Sequence, residues 1–538
     1  MSLQHPANVE SLIEASRDKP KHHHKERSDR GLQAASYGAR YTTQDLPRDK
    51  FPEQGCEAEA AYQLIHDMTD LDGRPNLNLA SFVHTWMPPQ ADKLMAENVG
   101  KNLIDEDEYP ATVDMHHRCT SMIAKLWHAH PDETPIGTAT TGSSEGILLG
   151  GMALKRAWQA KMKAKGKNIY EPGPNIIMGA NAQVCLEKFA RYFEVEARLV
   201  PVSEESRYCL DIKKAAEMCD ENTIGVFVIL GSTYTGHYES VKEMSDALDK
   251  IEKEKGWDIP IHVDGASGGF FAPFVHPKLE WDFRLPRVKS IQSSGHKFGL
   301  AYVGVGWVVW RDHKYLPKEL IFELHYLGSV ELSFSLNFSR PAAPIIAQFF
   351  SFLHLGFEGY RRIGEGDLVN ARILSRALEG STEFKVLSEI HHEASPNDPG
   401  YVEDETKAGH YKPGLPVVAF QLSPEWKKKN PYIQQKWLQT LLRVKGWIVP
   451  NYELPPSVEK EEVLRVVVRE SMSEDLVDLL LRDLFAIVKE LDSMDDSENI
   501  ATVAHRSQQA VQKQANPKHV PHHKKAKGDK AKSLSVPC

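Results

Sequence analysis

Between residues 175 and 310 short apolar or β-branched runs recur, at 175–178, 223–230, 260–263, 288–291 and 303–310. Amphipathic stretches such as 144–165 and 241–255 separate several of them. Strands that are apolar along their whole length, with helices between them, predict a mostly parallel sheet covered on both faces. Past Pro341 the pattern changes. Residues 342–378 have helical spacing and lead to further strand-like runs at 416–422, 447–452 and 463–468, which predict a smaller α+β unit. With 538 residues and no internal repeat, the chain is expected to divide into an N-terminal arm (1–75), a large domain (76–350), a small C-terminal domain (351–500) and a tail (501–538).

Composition narrows the setting. Hydrophobic residues make up 41% of the chain, but no apolar run is long enough to span a bilayer, and Met1-Ser2-Leu3-Gln4-His5-Pro6 has no signal-peptide core. A cytoplasmic location is expected. Cys56, Cys119, Cys185, Cys209, Cys219 and Cys538 show no CxxC spacing, which points to free thiols in a reducing compartment, with no disulfide and no metal site. Cys538 is terminal, not fourth from the end, so no prenyl anchor is indicated. The net charge of −9 gives no reason to expect a nucleic-acid partner.

The tail runs against that balance. From Arg506 onward it carries eight basic side chains and one acid, Asp529, with no aromatic residue. It cannot bury a core. A solvated tail and a tail that binds an acidic partner, calmodulin or an anionic lipid surface, stand equal on composition, although the tryptophan and amphipathic spacing of a calmodulin helix are missing. The run His22-His23-His24 sits in a polar segment that reads as a solvated linker.

Three short segments carry chemistry. Ser293-Ser294-Gly295-His296-Lys297-Phe298-Gly299 follows the run at 288–291 and presents a lysine among small residues. Upstream, His262-Val263-Asp264 ends another strand with a carboxylate. Earlier still, Thr141-Gly142-Ser143-Ser144-Glu145 opens an amphipathic helix, where free amides, the dipole and two hydroxyls suit a phosphate. Taken singly these are a loop lysine, a strand-end acid and a helix cap. Together they fit pyridoxal 5'-phosphate: Lys297 condenses with its aldehyde, Asp264 keeps its ring nitrogen protonated, and the glycine-serine turn holds its phosphate. The order phosphate turn, aspartate, lysine resembles that of pyridoxal phosphate enzymes with an aspartate aminotransferase-like fold, which implies fold type I with a seven-stranded, mostly parallel sheet.

The segments around these residues are more specific. His262-Val263-Asp264-Gly265-Ala266-Ser267-Gly268-Gly269-Phe270, Ser294-Gly295-His296-Lys297-Phe298-Gly299-Leu300 and Asn337-Phe338-Ser339-Arg340-Pro341 resemble the glutamate decarboxylases of bacteria, plants and fungi, and the likeness runs from Tyr37 to Leu491. The resemblance implies decarboxylation of L-glutamate to 4-aminobutanoate. It assigns the Schiff base to Lys297, the ring nitrogen to Asp264, the two ring faces to Ala266 and Gln183, and a contact near the ring oxygen or the aspartate to Thr233. Ser143, Ser144 and His296 would hold the phosphate, with Ser339 reaching over from a neighbouring subunit, so a homodimer is the minimum and a hexamer the larger option. Ser81, Phe82 and Asp105 would form the pocket for the distal carboxylate, Arg465 would meet a substrate carboxylate, and Tyr326 would help to deliver a proton to Cα. Ser81 stands where bacterial members have threonine. Gly265 replaces the usual alanine, a loss of one methyl expected to be tolerated.

Two other readings share parts of this pattern. An aromatic amino-acid decarboxylase or a lyase of the same fold would keep Lys297 and Asp264 but carry histidine at the Gln183 position and no acid at Asp105. A non-catalytic interaction protein on the same scaffold would show decay of the lysine or the aspartate, and both are intact.

Overall fold

The structure is a computed structural model that describes residues 50–324 and 331–494. Its main sheet is built from β1 (Ile136–Thr140), β2 (Asn175–Gly179), β3 (Glu196–Val200), β4 (Thr223–Ile229), β5 (Ile261–Asp264), β6 (Val288–Ser293) and β7 (Gly306–Trp310). The seven strands lie in the order β1-β7-β6-β5-β4-β2-β3. Strands β3, β2, β4, β5 and β6 are parallel, and β7 runs antiparallel to both of its neighbours, β6 and β1.

Alternation along the central strands explains the two covering layers. Ile176 and Met178 of β2 and Phe227 and Ile229 of β4 pack against the helices Ser143–Ala164 and Val184–Tyr192. Ile177, Val226 and Val228 face the other way, toward helices Val241–Lys255 and Pro110–Leu126. Both faces are therefore dry, as continuous apolar runs require. The carboxyl ends of β5 and β6 place Asp264 and the loop with Lys297 in the crevice where ligands of open α/β sheets bind.

A second, antiparallel sheet has the order β10 (Phe384–Val386), β11 (Val417–Leu422), β13 (Glu462–Val467), β12 (Asn451–Glu453). Its core includes Val418, Phe420, Leu464 and Val466, packed on Leu374 and Leu378 of helix Ala343–Glu379 and Leu480 and Leu484 of helix Glu474–Asp492. The 37-residue helix Ala343–Glu379 is interrupted at Gly356, whose φ of 57° and ψ of −174° lie outside the helical region. Only glycine takes that conformation at little cost. A short two-stranded ribbon, β8 (Phe322–Leu324) with β9 (Glu331–Ser333), flanks residues 325–330.

Two predicted strands begin later than the apolar pattern suggests. The run at 303–310 joins the sheet only from Gly306, because the preceding turn carries Gly304 at φ 113° and is used to pair Val305 O with His296 N at 3.2 Å. The run at 447–452 contributes only Asn451 and Tyr452 to β12; Pro450, without an N–H, separates it from Ile448, which bridges to Asn78 instead. At Gly265 a Cβ would lie 2.9 Å from Gln292 O and 3.2 Å from Gly269 Cα, so the neighbouring backbone leaves little room for a methyl.

Behind the sheet ends sits a buried acid that sequence reading did not single out. Glu239 accepts from Ile229 N at 2.7 Å, Leu210 N at 3.0 Å and Asn181 Nδ2 at 2.9 Å. Burial raises its pKa to about 7 against the lowering pull of those three donors. Both oxygens are acceptors, so an amide has no place for its NH₂. Glu239→Gln is expected to cost about 1–3 kcal/mol by setting a donor against a donor, read as a lower urea midpoint with an unchanged slope. An unchanged midpoint would mean that the carboxylate is not what joins β4 to these loops.

Candidate active site

Lys297 stands in the loop after β6 and is half-buried. Its Nζ lies 3.3 Å from Ser267 Oγ and 5.4 Å from the centre of the Phe82 ring. Burial lowers its pKa, opposed by the charge of Asp264, so the amine is easier to free of its proton than a surface lysine. Asp264, at the end of β5, is buried. Its Oδ1 accepts from Ala266 N at 3.0 Å and from Gln292 Nε2. Burial raises its pKa, while those donors and Lys297 pull it down. Both donors go to Oδ1, which leaves Oδ2 able to meet a protonated ring nitrogen.

The first turn of helix Ser143–Ala164 forms the floor of a cup. Ser143 Oγ is hydrogen-bonded to Ser294 Oγ, and a Cβ on Gly142 would come 3.0 Å from His296 Cε1. That close approach is the reason for glycine here. His296 is pulled down to about 4 by burial and by Lys297, and its Nδ1 is buried without a partner. Glu145 secures the turn by accepting from Thr141 N at 2.8 Å, and through its other oxygen from Leu336 N at 3.2 Å. Gln183 caps helix Val184–Tyr192, its Oε1 accepting from Cys185 N at 2.7 Å, and it is solvent-exposed.

Arg465, on β13, closes the site from the side of the second sheet. It is buried, donating through Nη1 to Thr233 O at 2.7 Å and through Nη2 to Ala80 O, with its guanidinium 4.9 Å above the Phe82 ring. Lys297, Phe82, Arg465 and Thr233 are thus one contact chain, which also takes in the backbone beside Ser81 through Ala80. Ser81 Oγ accepts from Val83 N at 3.1 Å.

Asp105 and Ser339 belong to a different group. Asn102 O accepts from Asp105 N at 3.2 Å, Asn102 Nδ2 donates to Ser339 Oγ at 3.4 Å, and Asn102 Oδ1 accepts from Arg340 N at 3.0 Å. Among the described residues no hydrogen bond joins this group to Lys297 within one chain. Tyr326 lies outside the described residues, as do His22-His23-His24 and the basic tail.

Sequence reading missed the partners that hold the named residues. Ser267 at Lys297 and Ser294 on Ser143 sit inside the quoted motifs and Gln292 on Asp264 lies just before one, but only the fold reveals which atoms meet. Cys185 was read as one free thiol among six. Its pKa is pushed up to about 12 by burial, with Asp264 and Lys297 as charged neighbours and Ser144 as a hydrogen-bond partner.

Amine, buried carboxylate and helix-start cup suit pyridoxal phosphate: the unpartnered His296 Nδ1 and the Gly142 cradle fit its phosphate, Asp264 its ring nitrogen and Lys297 its aldehyde. Residues 52–394 match the family described as the pyridoxal-dependent decarboxylase conserved domain. The chain belongs to that family, and is a pyridoxal phosphate-dependent enzyme of fold type I. Within it the chain falls among the glutamate decarboxylases. It is 48% identical over 462 residues to glutamate decarboxylase of Petunia hybrida, covering 86% of each chain. To that of Saccharomyces cerevisiae it is 50% identical, over 82% of this chain and 78% of the yeast one. The solved Lactobacillus brevis glutamate decarboxylase superposes with a TM-score of 0.78 at 37% identity, over 85% of this chain and 98% of that one.

Proposed function

We infer that this chain decarboxylates L-glutamate to 4-aminobutanoate and carbon dioxide. The observation that carries the reading is the pair of cations over one ring: Lys297 Nζ at 5.4 Å and the Arg465 guanidinium at 4.9 Å from Phe82. An amino acid needs both, an amine to exchange with and a guanidinium for a carboxylate.

Pyridoxal phosphate, when bound, supplies an aldehyde that takes the substrate amine and a protonated ring that accepts the electron pair left at Cα when carbon dioxide departs. Asp264 keeps the proton at the ring nitrogen. Ser143, Ser144 and His296 would hold the phosphate, Ala266 and Gln183 would flank the ring, and Thr233, whose carbonyl holds Arg465, would stand near the ring oxygen or Asp264. Arg465 orients a substrate carboxylate, Phe82 and its neighbours exclude water from the amine, and Tyr326 helps to return a proton to Cα. Carbon dioxide released from glutamate, and not from aromatic amino acids, is the expected result for purified protein loaded with cofactor. Preference for an aromatic substrate would overturn the assignment.

Ser81, Phe82 and Asp105 receive the distal carboxylate in this reading and Ser339 meets the phosphate, with Asp105 and Ser339 coming from the neighbouring chain of a homodimer, or of a hexamer of such dimers. Support comes from the joint attachment of Asp105 and Ser339 to Asn102, apart from Lys297, and from exposed Leu336 and Phe338 in the same segment as Ser339. A cytoplasmic location agrees with the five described cysteines, all of them free. Among the described residues no helix is long and apolar enough to cross a membrane. The basic tail is assigned to calmodulin or an anionic surface on its charge alone.

Asp105 gives the reading a pH signature. Two carboxyl groups facing each other cannot both be ionised cheaply, so one holds a proton that serves as their hydrogen bond, and binding favours mildly acidic solution. Asp105→Asn supplies a permanent donor. The KM for glutamate is expected to rise toward neutral pH in the parent and to stay flatter in the variant. Superimposable KM profiles would leave Asp105 as a surface acid.

A further inference from the structure

We propose that Glu379, His391 and His392 form a binding site for one divalent transition-metal ion of the zinc type, far from the quoted motifs. Helix Ala343–Glu379 ends on Glu379, and the loop after β10 turns back to bring both imidazoles onto its carboxylate. His391 Nε2 lies 2.8 Å from Glu379 Oε2, and His392 Nε2 lies 3.0 Å from Glu379 Oε1. The three donor atoms all fall within 4.8 Å of one another. Around a tetrahedral ion with bonds of about 2.0–2.2 Å, ligand atoms stand about 3.3 Å apart. Glu379 Oε2, which lies 2.8 Å from His391 Nε2 and 3.4 Å from His392 Nε2, can therefore serve both as one ligand atom if the His391 contact opens by about half an ångström.

The setting favours a site over a surface cluster. The His391 side chain is 2% exposed and its Nδ1 is buried without a partner. Packing around the ring holds Nε2 toward the Glu379 carboxylate. Glu379 and His392 are open to solvent, which gives an ion an entry path and leaves a coordination position for water. The nearest cations are occupied elsewhere: Arg376 donates to Tyr411 OH at 2.9 Å and Arg372 to Ile390 O at 2.9 Å, and both guanidinium groups lie over the Tyr411 ring. The other such group among the described residues, His66, Asp67 and Asp70, is exposed throughout and lacks a buried ligand.

A bound ion clamps the end of the long helix to a loop that touches the active-site wall. Ser388 Oγ in that loop donates to Thr235 O at 2.8 Å, and Glu389 N donates to His237 Nε2 at 3.2 Å. Thr235 and His237 follow Thr233, whose carbonyl holds Arg465. The ion would be structural, with no part in the chemistry.

The test uses the full-length holoenzyme with His22, His23 and His24, and the tail's His522 and His523, replaced by alanine, so that these histidine runs do not compete. Zinc chloride titrated by calorimetry should bind at one ion per chain and raise the thermal midpoint. His392→Ala and Glu379→Gln, both at exposed positions, should weaken binding by more than about tenfold, since even the loss of an outer partner of a ligand costs that much, and abolish the midpoint shift while leaving decarboxylation unchanged. No stoichiometric binding in the parent, or equal binding in both variants, would overturn the proposal.

Discussion

Lys297→Ala is expected to remove the visible absorption of the bound cofactor and to lower turnover by at least about 10³-fold, since both amine exchange and proton handling at the site are lost. The fold should survive. Lys297 Nζ has a single recorded hydrogen bond, to Ser267 Oγ, and burial disfavours its charge, so deletion relieves a desolvation cost while leaving a small gap beside Phe82. Absorption spectra, carbon dioxide release and thermal unfolding on one preparation check this. Full activity in the variant would remove Lys297 from the chemistry, and loss of the fold would make it a structural residue.

Asp264→Asn is expected to cost about 10²–10³ in kcat, the usual range for one preorganised electrostatic group. The shape is kept, and Ala266 N and Gln292 Nε2 still have an oxygen to meet. What goes is the negative charge that holds a proton on the ring nitrogen. Because the cup of Gly142, Ser143 and His296 is untouched, cofactor content should stay near that of the parent and KM should change far less than kcat. A kcat within about twofold of the parent would show that the ring nitrogen needs no carboxylate here.

The central strands were legible because burial on both faces writes them as unbroken apolar runs: Thr223–Ile229 and Val288–Ser293 coincide closely with such runs. The two edges were not. β1 reads Ile-Gly-Thr-Ala-Thr and β3 reads Glu-Ala-Arg-Leu-Val, each with only one neighbour and a partly exposed face, so neither shows a continuous apolar signal. Chemistry divided in the same way. Lys297 and Asp264 announce themselves because strand ends present them among small residues. Arg465 does not: its sequence context is an ordinary strand, and only the fold turns it onto Phe82. Gln292, Ser267 and Glu239 carry no signal at all, since a residue that supports another is defined by distance in space. The closeness of Gln292 O to Gly265 is likewise invisible in the sequence, because it depends on how the backbones pack.

Asn102 holds the turn of Asp105 with its backbone and the loop of Ser339 with its side chain. Under the proposed arrangement each catalytic centre is then a joint product of two chains, one giving Lys297 and Asp264, the other giving Asp105 and Ser339. Two alleles, one damaged at Lys297 and one at Asn102, would each be inert alone. Expressed together they would assemble hybrids in which one of the two centres draws only on intact parts, so that activity returns from a mixture of two dead proteins.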